Sequence, residues 1–177
     1  MRSPGAFSAL LGLALLALAG CSDGQVGIPR PPSSAAPPTE SAEAGAVFGT
    51  LKACDLLDRA IQGQGYGPGE VSNTASHNGC QALKPGLTVR LDLDDQQGID
   101  ELRGDPAQMH TGEVNGRPAK QLKRPSSPGA GCYVAIEVGA CARALVLAGF
   151  GTNPSVEDAC AEANKLATAV EPELPAA

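Results

Sequence analysis

Six cysteines constrain this chain of 177 residues more than any other feature, because a disulfide decides which segments can be neighbours. They stand at positions 21, 54, 80, 132, 141 and 160. Disulfides form in exported proteins and are rare in the cytosol, so their meaning depends on whether the chain carries an export signal. Aromatic residues make up 3% of the chain, and tryptophan is absent. Covalent links would therefore matter to a core that has few large side chains.

The first twenty residues have the pattern of a signal peptide. One positive charge, Arg2, precedes an apolar run over residues 9–18. The run ends in Leu-Ala-Gly-Cys at 18–21, which resembles a bacterial lipobox. That resemblance implies cleavage before Cys21 and a diacylglyceryl lipid on its sulfur, and two or three acyl chains anchor a protein stably. We expect lipidation at Cys21 and an exported protein at the outer face of the cytoplasmic membrane. The alternatives are an ordinary secretory signal with a chance cysteine and an uncleaved anchor.

Residues 21–45 are predicted to be a disordered tether behind the lipidated cysteine. This stretch is rich in proline, serine and alanine and has hardly any large apolar side chains. It cannot bury enough surface to offset the entropy lost on ordering. Polyproline-II segments, at about 3.1 Å per residue, would hold the following domain several tens of ångströms from the bilayer. Residues 46–177 are predicted to form a single α+β domain.

Two amphipathic helices bracket that domain. Apolar residues at steps of three and four indicate a helix over 46–62, which a series of glycines ends. Ser155 and Asp158 have the spacing of an N-terminal capping pair, and an alanine-rich apolar stripe follows them as far as Val170. We expect one helix at each end of the domain.

The segment between the helices has the patterns of antiparallel strands. Residues 87–93 alternate with period two, and a short helix is predicted at 99–103. Asn115-Gly116 and Gly139-Ala140 each have the composition of a two-residue hairpin turn. These patterns predict an α+β fold in which an antiparallel sheet carries the N- and C-terminal helices on one face and is solvated on the other.

Five cysteines remain beside the lipidated one, and about 15 arrangements of two bridges are possible. If Gly139-Ala140 is a turn, Cys132 and Cys141 are about 20 Å apart along the ladder. A disulfide cannot span that distance.

The predicted helices suggest a pairing for the others. Cys54 and Cys160 lie on the apolar stripes of the two helices, so we predict that they form one bridge. Cys80 precedes the strand at 87, and we predict that it meets Cys132 on a neighbouring strand. Cys141 is then left over. We expect it to be a small buried side chain on a strand, with an intermolecular bridge and a reactive thiol as alternatives.

Several motifs repeat this order of features: 53–57, Gly79-Cys80, 114–119, 131–134 and 158–163. Together with the lipobox and the tether, they make the chain resemble a family of small actinobacterial envelope lipoproteins that carry a domain of unknown function, number 3558. The resemblance implies the same location and architecture, and a four-cysteine framework at Cys54, Cys80, Cys132 and Cys160. It implies no activity. Gln81 departs from the family, in which an aromatic residue often follows the mid-chain cysteine.

Four positive charges within eight residues stand out in an acidic chain: Arg117, Lys120, Lys123 and Arg124. They lie on and after the strand that Pro118 assigns to a sheet edge. Lysines on an edge usually protect it from aggregation. The functional alternative is a docking patch for an anionic wall polymer, a lipid headgroup or an acidic envelope protein.

Residues typical of catalysis or metal binding do not form a convincing set. His77 and Cys80 have the spacing of metal ligands, but the chain has two histidines in all. Residues 92–98 are similar to a calcium loop, yet Gly98 is one place late and Arg103 stands where a bidentate glutamate belongs. This stretch favours a solvated acidic turn. We expect no metal, no cofactor and no enzyme activity.

The sequence favours a non-catalytic binding or docking module. The net charge of −6 argues against a nucleic-acid partner. The expected partners are the membrane, through the lipid, and an envelope protein, wall polymer or lipid. The alternative is a lipid or glycolipid carrier with an apolar cavity between the helices and the sheet. A thiol-redox or hydrolytic enzyme is a third hypothesis, but the chain has no CxxC motif or triad spacing that supports it.

Overall fold

The computed structural model describes residues 47–124, 130–151 and 155–176, all within one compact unit of the chain, Pro31–Ala177. The predicted signal peptide, Cys21 and tether lie outside the described residues. The helices and strands are α1 (Ala53–Ile61), β1 (Glu70–Val71), β2 (Asn78–Lys84), β3 (Leu87–Asp94), β4 (Met109–Val114), β5 (Arg117–Arg124), β6 (Gly131–Gly139), β7 (Ala142–Phe150) and α2 (Val156–Val170). Three short 3₁₀ helices occur at Ile99–Glu101, Pro106–Gln108 and Glu171–Glu173.

The seven strands form one antiparallel sheet in the order β1-β2-β3-β7-β6-β5-β4. Cross-strand partners project from the same face of a sheet. One face, which we call the helix face, carries the buried row Cys80, Leu91, Val146 and Val134. The other, which we call the groove face, carries Arg90, Leu147, Tyr133 and Leu122. Both helices pack on the helix face, which confirms the predicted α+β architecture.

The core lies between the helices and the helix face. From α1 it takes Leu56, Leu57 and Ile61, and from α2 it takes fully buried Ala159 and Ala163 among others. Small alanines bring the axis of a helix close to a sheet, so α2 covers β6 and β7 closely. Ser155 and Asp158 form the predicted capping box at the start of α2.

The first helix is shorter than its periodicity predicts. It begins at Ala53 rather than near position 46, and its N-cap residue Lys52 makes no side-chain cap bond. Instead Asn78 of β2 caps it from a distance: its Oδ1 accepts from the Ala53 amide at 2.9 Å, and its Nδ2 donates to the Leu51 carbonyl at 2.8 Å. A cap supplied from 25 residues away leaves no local pattern in the sequence.

Two predictions about the strands are wrong. The turn between β6 and β7 is Ala140-Cys141, not Gly139-Ala140, since Gly139 pairs with Ala142; an irregularity between Glu137 and Gly139 then shifts the register of the following pairs by one residue. The strand with Pro118 is not at the edge, since β5 lies between β4 and β6. The β5–β6 register begins at the next residue, Ala119, so the missing N–H of the proline does not interrupt that ladder.

The predicted bridges Cys54–Cys160 and Cys80–Cys132 are also wrong, although the same four cysteines are used. The structure has Cys54–Cys80, with the Cα atoms 5.0 Å apart, and Cys132–Cys160, with the Cα atoms 4.9 Å apart. Each helix is tied to the strand beneath it. Cys80 and Cys132 lie on β2 and β6, with β3 and β7 between them. Three strand spacings are about 14 Å, twice what a disulfide can span.

Candidate ligand groove

The groove face is not simply solvated, as the sequence suggested, because the chain between β3 and β4 folds back over it. Arg143 of β7 holds this covering segment, residues 95–108. Its guanidinium donates to the carbonyl of Gly98 at 3.1 Å and to the side chain of Gln97 at 2.7 Å, and it pairs with Asp94 at 3.3 Å. Arg143 and Asp94 are both buried. A buried, multiply bonded arginine therefore fixes one wall of the face.

Two glycines let the covering segment approach closely. A Cβ atom on Gly98 would lie 2.3 Å from the carbonyl oxygen of Ala140, and a Cβ on Gly104 would lie 2.5 Å from the methyl carbons of Leu122. The backbone contact leaves no room for a side chain at position 98, and a side chain at position 104 would require Leu122 to move. Residues 98–104 thus lie directly on the β6–β7 turn and on β5, and Leu122 is buried beneath them.

A groove of about 780 Å³ remains between the covering segment, the loop around Thr74 and the sheet. Its volume is within the range of small-molecule sites. Its apolar lining comes from the sheet and both flanking segments, and consists of Ala75, Leu102, Leu122, Tyr133 and Leu145. Among the described residues its charged lining is four arginines, Arg90, Arg103, Arg124 and Arg143, and two carboxylates, Glu101 and Asp105; Lys123 borders the groove, but its side chain lies on the helix face. Arginines therefore outnumber carboxylates in this lining by four to two, although the protein as a whole is acidic.

Two of these arginines are neutralised by buried carboxylates in the sheet. Arg143 pairs with Asp94, and the Nε of Arg90 lies 2.7 Å from Asp92 Oδ2. Asp92 is 1% exposed, and this burial raises its pKa, against the opposing charge and hydrogen bond of Arg90. The expected solvated acidic turn is therefore wrong: both aspartates are buried members of β3 and face arginines on the groove face.

Two other arginines carry charge into the groove without such a partner. Arg124 donates to the Tyr133 hydroxyl at 3.0 Å, with its guanidinium carbon 5.6 Å from the ring centroid. Arg103 donates to the backbone carbonyl of Asp100 at 3.3 Å. Both acceptors are neutral, and neither arginine has a carboxylate of the described residues within 4 Å. A guanidinium has five N–H donors, so most donors of both arginines are available to a ligand.

The structure does not bring the four charges of the predicted docking patch together. Alternate positions along β5 point to opposite faces. Arg117 and Lys123 lie on the helix face, where they pair with Glu171 at 2.8 Å and with Glu157 at 3.9 Å. Lys120 and Arg124 lie on the groove face, where Lys120 pairs with Asp100 at 2.6 Å and Arg124 donates to the Tyr133 hydroxyl. Of the four residues of the predicted docking patch, Arg124 alone both lines the groove and has no carboxylate partner among the described residues.

Sequence reasoning missed Arg90, Arg103 and Arg143. The sequence does contain a pattern that could have revealed Arg90: Arg90, Asp92 and Asp94 alternate along one strand and must share a face. The sequence nevertheless predicts a solvated face, because nothing local shows that residues 95–108 return over it. Arg143 is directly opposite Asp94 in the register, which the sequence does not reveal.

The remaining predicted positions lie away from the groove or have other roles. His77 is exposed, and the described ranges contain no group of three or more potential metal ligands. Cys141 lies in the β6–β7 turn rather than on a strand, is partly buried, and does not carry a free thiol. No helix in the described part of the chain is long and apolar enough to cross a membrane.

The fold and groove together define a class: a disulfide-tied α+β domain whose antiparallel sheet carries helices on one face and a basic groove on the other. The family model described as "Protein of unknown function (DUF3558)" matches residues 16–173. The chain belongs to that family. Comparison with curated proteins and with solved structures finds no match.

Proposed function

We propose that the protein is an exported, lipid-anchored binding module of the cell envelope, and that the groove is its binding site. The observation that carries this proposal is the groove itself. It is concave, mixes leucine and tyrosine side chains with arginines, and lies on a sheet that two disulfides connect to its helices. Such a combination of apolar surface and a few placed polar groups is typical of ligand sites.

The chemistry of the lining supports binding rather than catalysis. The two buried carboxylates next to the groove, Asp92 and Asp94, are engaged with Arg90 and Arg143. A general base needs a carboxylate or imidazole within reach of the substrate. The carboxylates that line the groove, Glu101 and Asp105, are on the covering segment, and the described lining gives them neither a histidine nor a cysteine to act with. The arginines are suited to hold a ligand, since they do not release their protons.

The location is part of the same proposal and is supported by the sequence. A lipid on Cys21 would anchor the chain at the outer face of the cytoplasmic membrane, and residues 21–45 would act as the tether. The resemblance to actinobacterial envelope lipoproteins favours this placement. A wall component, an envelope protein or a membrane lipid would then be within reach of the groove.

The alternative function, a carrier of a lipid or glycolipid, is better served by the groove than by a cavity between the helices and the sheet. A cavity between the helices and the sheet would need space beside α2, where Ala159, Ala163 and Ala167 are fully buried in the core. The groove on the opposite face is the better place for an amphiphile. Its apolar floor includes Leu122 and Leu145.

Native mass spectrometry of the full-length protein, extracted gently from its own membrane, tests the proposal. We expect a bound small molecule on the wild type. The variant Ala75→Trp should lose it, because Ala75 lines the groove and the indole would fill the space. Ala107→Trp is the matched control, since Ala107 is exposed and not among the groove residues. An unliganded wild type, or an adduct that Ala75→Trp retains, would count against the groove as the binding site.

A further inference from the structure

The charges in the groove indicate the chemical class of its ligand. Of the four arginines that line it, Arg90 and Arg143 are paired with buried aspartates, whereas Arg103 and Arg124 have only neutral acceptors among the described residues. These two offer positive charge and free donors, since the carboxylates that also line the groove, Glu101 and Asp105, form no ion pair with either of them within the described residues. The remainder of the protein carries net negative charge.

The position of Arg124 is fixed independently of any ligand. Its guanidinium lies beside the ring of Tyr133 and donates to the hydroxyl of that residue. Tyr133 is on β6, the strand next to that of Arg124, and has cross-strand partners on both sides, Leu122 and Leu147. An arginine positioned in this way loses little side-chain entropy on binding an anion. Arg103 is on the covering segment, so the ligand would be held from two different elements.

An apolar surface is continuous with these charges. Leu122 and Tyr133 are cross-strand partners on the groove face, and Leu145 lies on the adjacent strand β7. Leu102 precedes Arg103 and lines the same space. A ligand that satisfied both regions would have an anionic head and an apolar body.

We infer that the groove binds an anionic amphiphile, with a phosphate head between Arg103 and Arg124 and its hydrocarbon part on Leu102, Leu122 and Leu145. This inference rests on the proposed function, because it names the ligand class of the same site. Arginine binds phosphate through charge-assisted and often bidentate hydrogen bonds. A free phosphate would make no contact with the apolar lining, of which Leu102 and Tyr133 are partly exposed, and we therefore assign an amphiphile.

The test uses the full-length protein in nanodiscs of phosphatidylcholine, with empty nanodiscs as the blank. Isothermal titration calorimetry with octyl phosphate, below its micellar concentration, measures binding. Octyl glucoside is the uncharged probe with the same chain, and inorganic phosphate is the headgroup alone. We expect octyl phosphate to bind about tenfold or more tightly than either, because each charged hydrogen bond contributes more than a neutral one.

The variants separate the contribution of charge from that of the groove. The double variant R103Q/R124Q should weaken octyl phosphate about tenfold or more and leave octyl glucoside unchanged. R59Q is the matched control, because Arg59 is an exposed arginine on α1 that pairs with Glu173. Ala75→Trp should weaken both octyl probes.

Each contrary result removes a defined part of the argument. If both octyl probes bind equally and R103Q/R124Q has no effect, the anionic class is wrong while the groove remains a binding site. Inorganic phosphate that binds as tightly as octyl phosphate refutes the amphiphile. If none of the probes binds while native mass spectrometry shows a groove-dependent adduct, the ligand class is wrong and the proposed function stands. If that adduct is absent as well, both fail.

Discussion

Each disulfide joins one helix to one strand. Replacing both cysteines of one bridge should therefore lower the free energy of unfolding far less than replacing one cysteine of each bridge. The bridges close loops with sequence separations of 26 and 28 residues. In the chain-entropy account, either loop contributes about 3.5 kcal/mol at 25 °C. The loops do not overlap in sequence, so their contributions should add to about 7 kcal/mol. Total stabilities of domains are about 5–15 kcal/mol, so losing both bridges would leave little.

Three double variants separate the two cases. C54A/C80A and C132A/C160A each remove one bridge and should each lose about 3.5 kcal/mol. C54A/C160A breaks both bridges and leaves Cys80 and Cys132, which lie about 14 Å apart across the sheet and cannot pair in the native fold. It should lose about 7 kcal/mol. All three variants replace two cysteines by alanine, so the loss of sulfur is closely matched.

Urea unfolding followed by far-ultraviolet circular dichroism measures these losses, because the chain has no tryptophan for fluorescence. Non-reducing peptide mapping provides a second readout on the wild type. Trypsin should release residues 53–59 joined to residues 60–90, since Cys54 and Cys80 are in those peptides. The reasoning is refuted if C54A/C160A is as stable as C54A/C80A, or if residues 53–59 are found joined to the peptide that contains Cys160.

Two further predictions concern charged groups. Arg143→Met leaves Asp94 buried without its cation and should lower the free energy of unfolding, measured in urea, by about 3–5 kcal/mol. Adding Asp94→Leu should recover most of that loss. A loss under about 1 kcal/mol for Arg143→Met alone would contradict a buried pair. Burial alone raises the pKa of Glu162, but the hydrogen bond and charge of Lys84 outweigh it and hold the pKa below the ordinary 4.5. The resulting stability is present above pH 4.5 and is lost as the pH falls through the lower, folded value. Glu162→Gln should therefore flatten the acid side of the stability profile, and an unchanged profile would refute this.

The parts of the fold that local patterns control were predictable from the sequence. The capping box at Ser155, the hairpin at Asn115-Gly116 and the strand that begins at Leu87 are all observed. Strand β2 was not predicted, because its composition of small and polar residues has no clear period of two. It forms because it pairs along its whole length with β3 and because Cys80 is joined to α1. Those causes are tertiary, so propensity alone cannot reveal them.

The pairing of the cysteines failed for a related reason. A stripe on each helix shows that both helices are half-buried, but not over which strands each one lies. The prediction placed Cys54 and Cys160 in contact. In the structure α1 lies over β2 and β3, while α2 lies over β6 and β7. The order β3-β7-β6, which separates the two halves, depends on long-range pairing of strands.

The ion pairs on the groove face add little to the stability of the fold, and the disulfides help to explain how the domain tolerates them. Two ion pairs with buried carboxylates, Arg90–Asp92 and Arg143–Asp94, lie on this face, where Asp92 and Asp94 stand at polar positions of the alternating pattern and are nevertheless out of solvent. Buried ion pairs commonly stabilise a fold no more than apolar side chains of the same volume, because desolvation offsets their attraction. A domain with 3% aromatic residues has little core stability to offset such pairs. The bridges Cys54–Cys80 and Cys132–Cys160 supply such stability on the helix face. The opposite face can therefore keep charged groups that hold the covering segment in place and shape the groove, and stability alone does not explain their presence there.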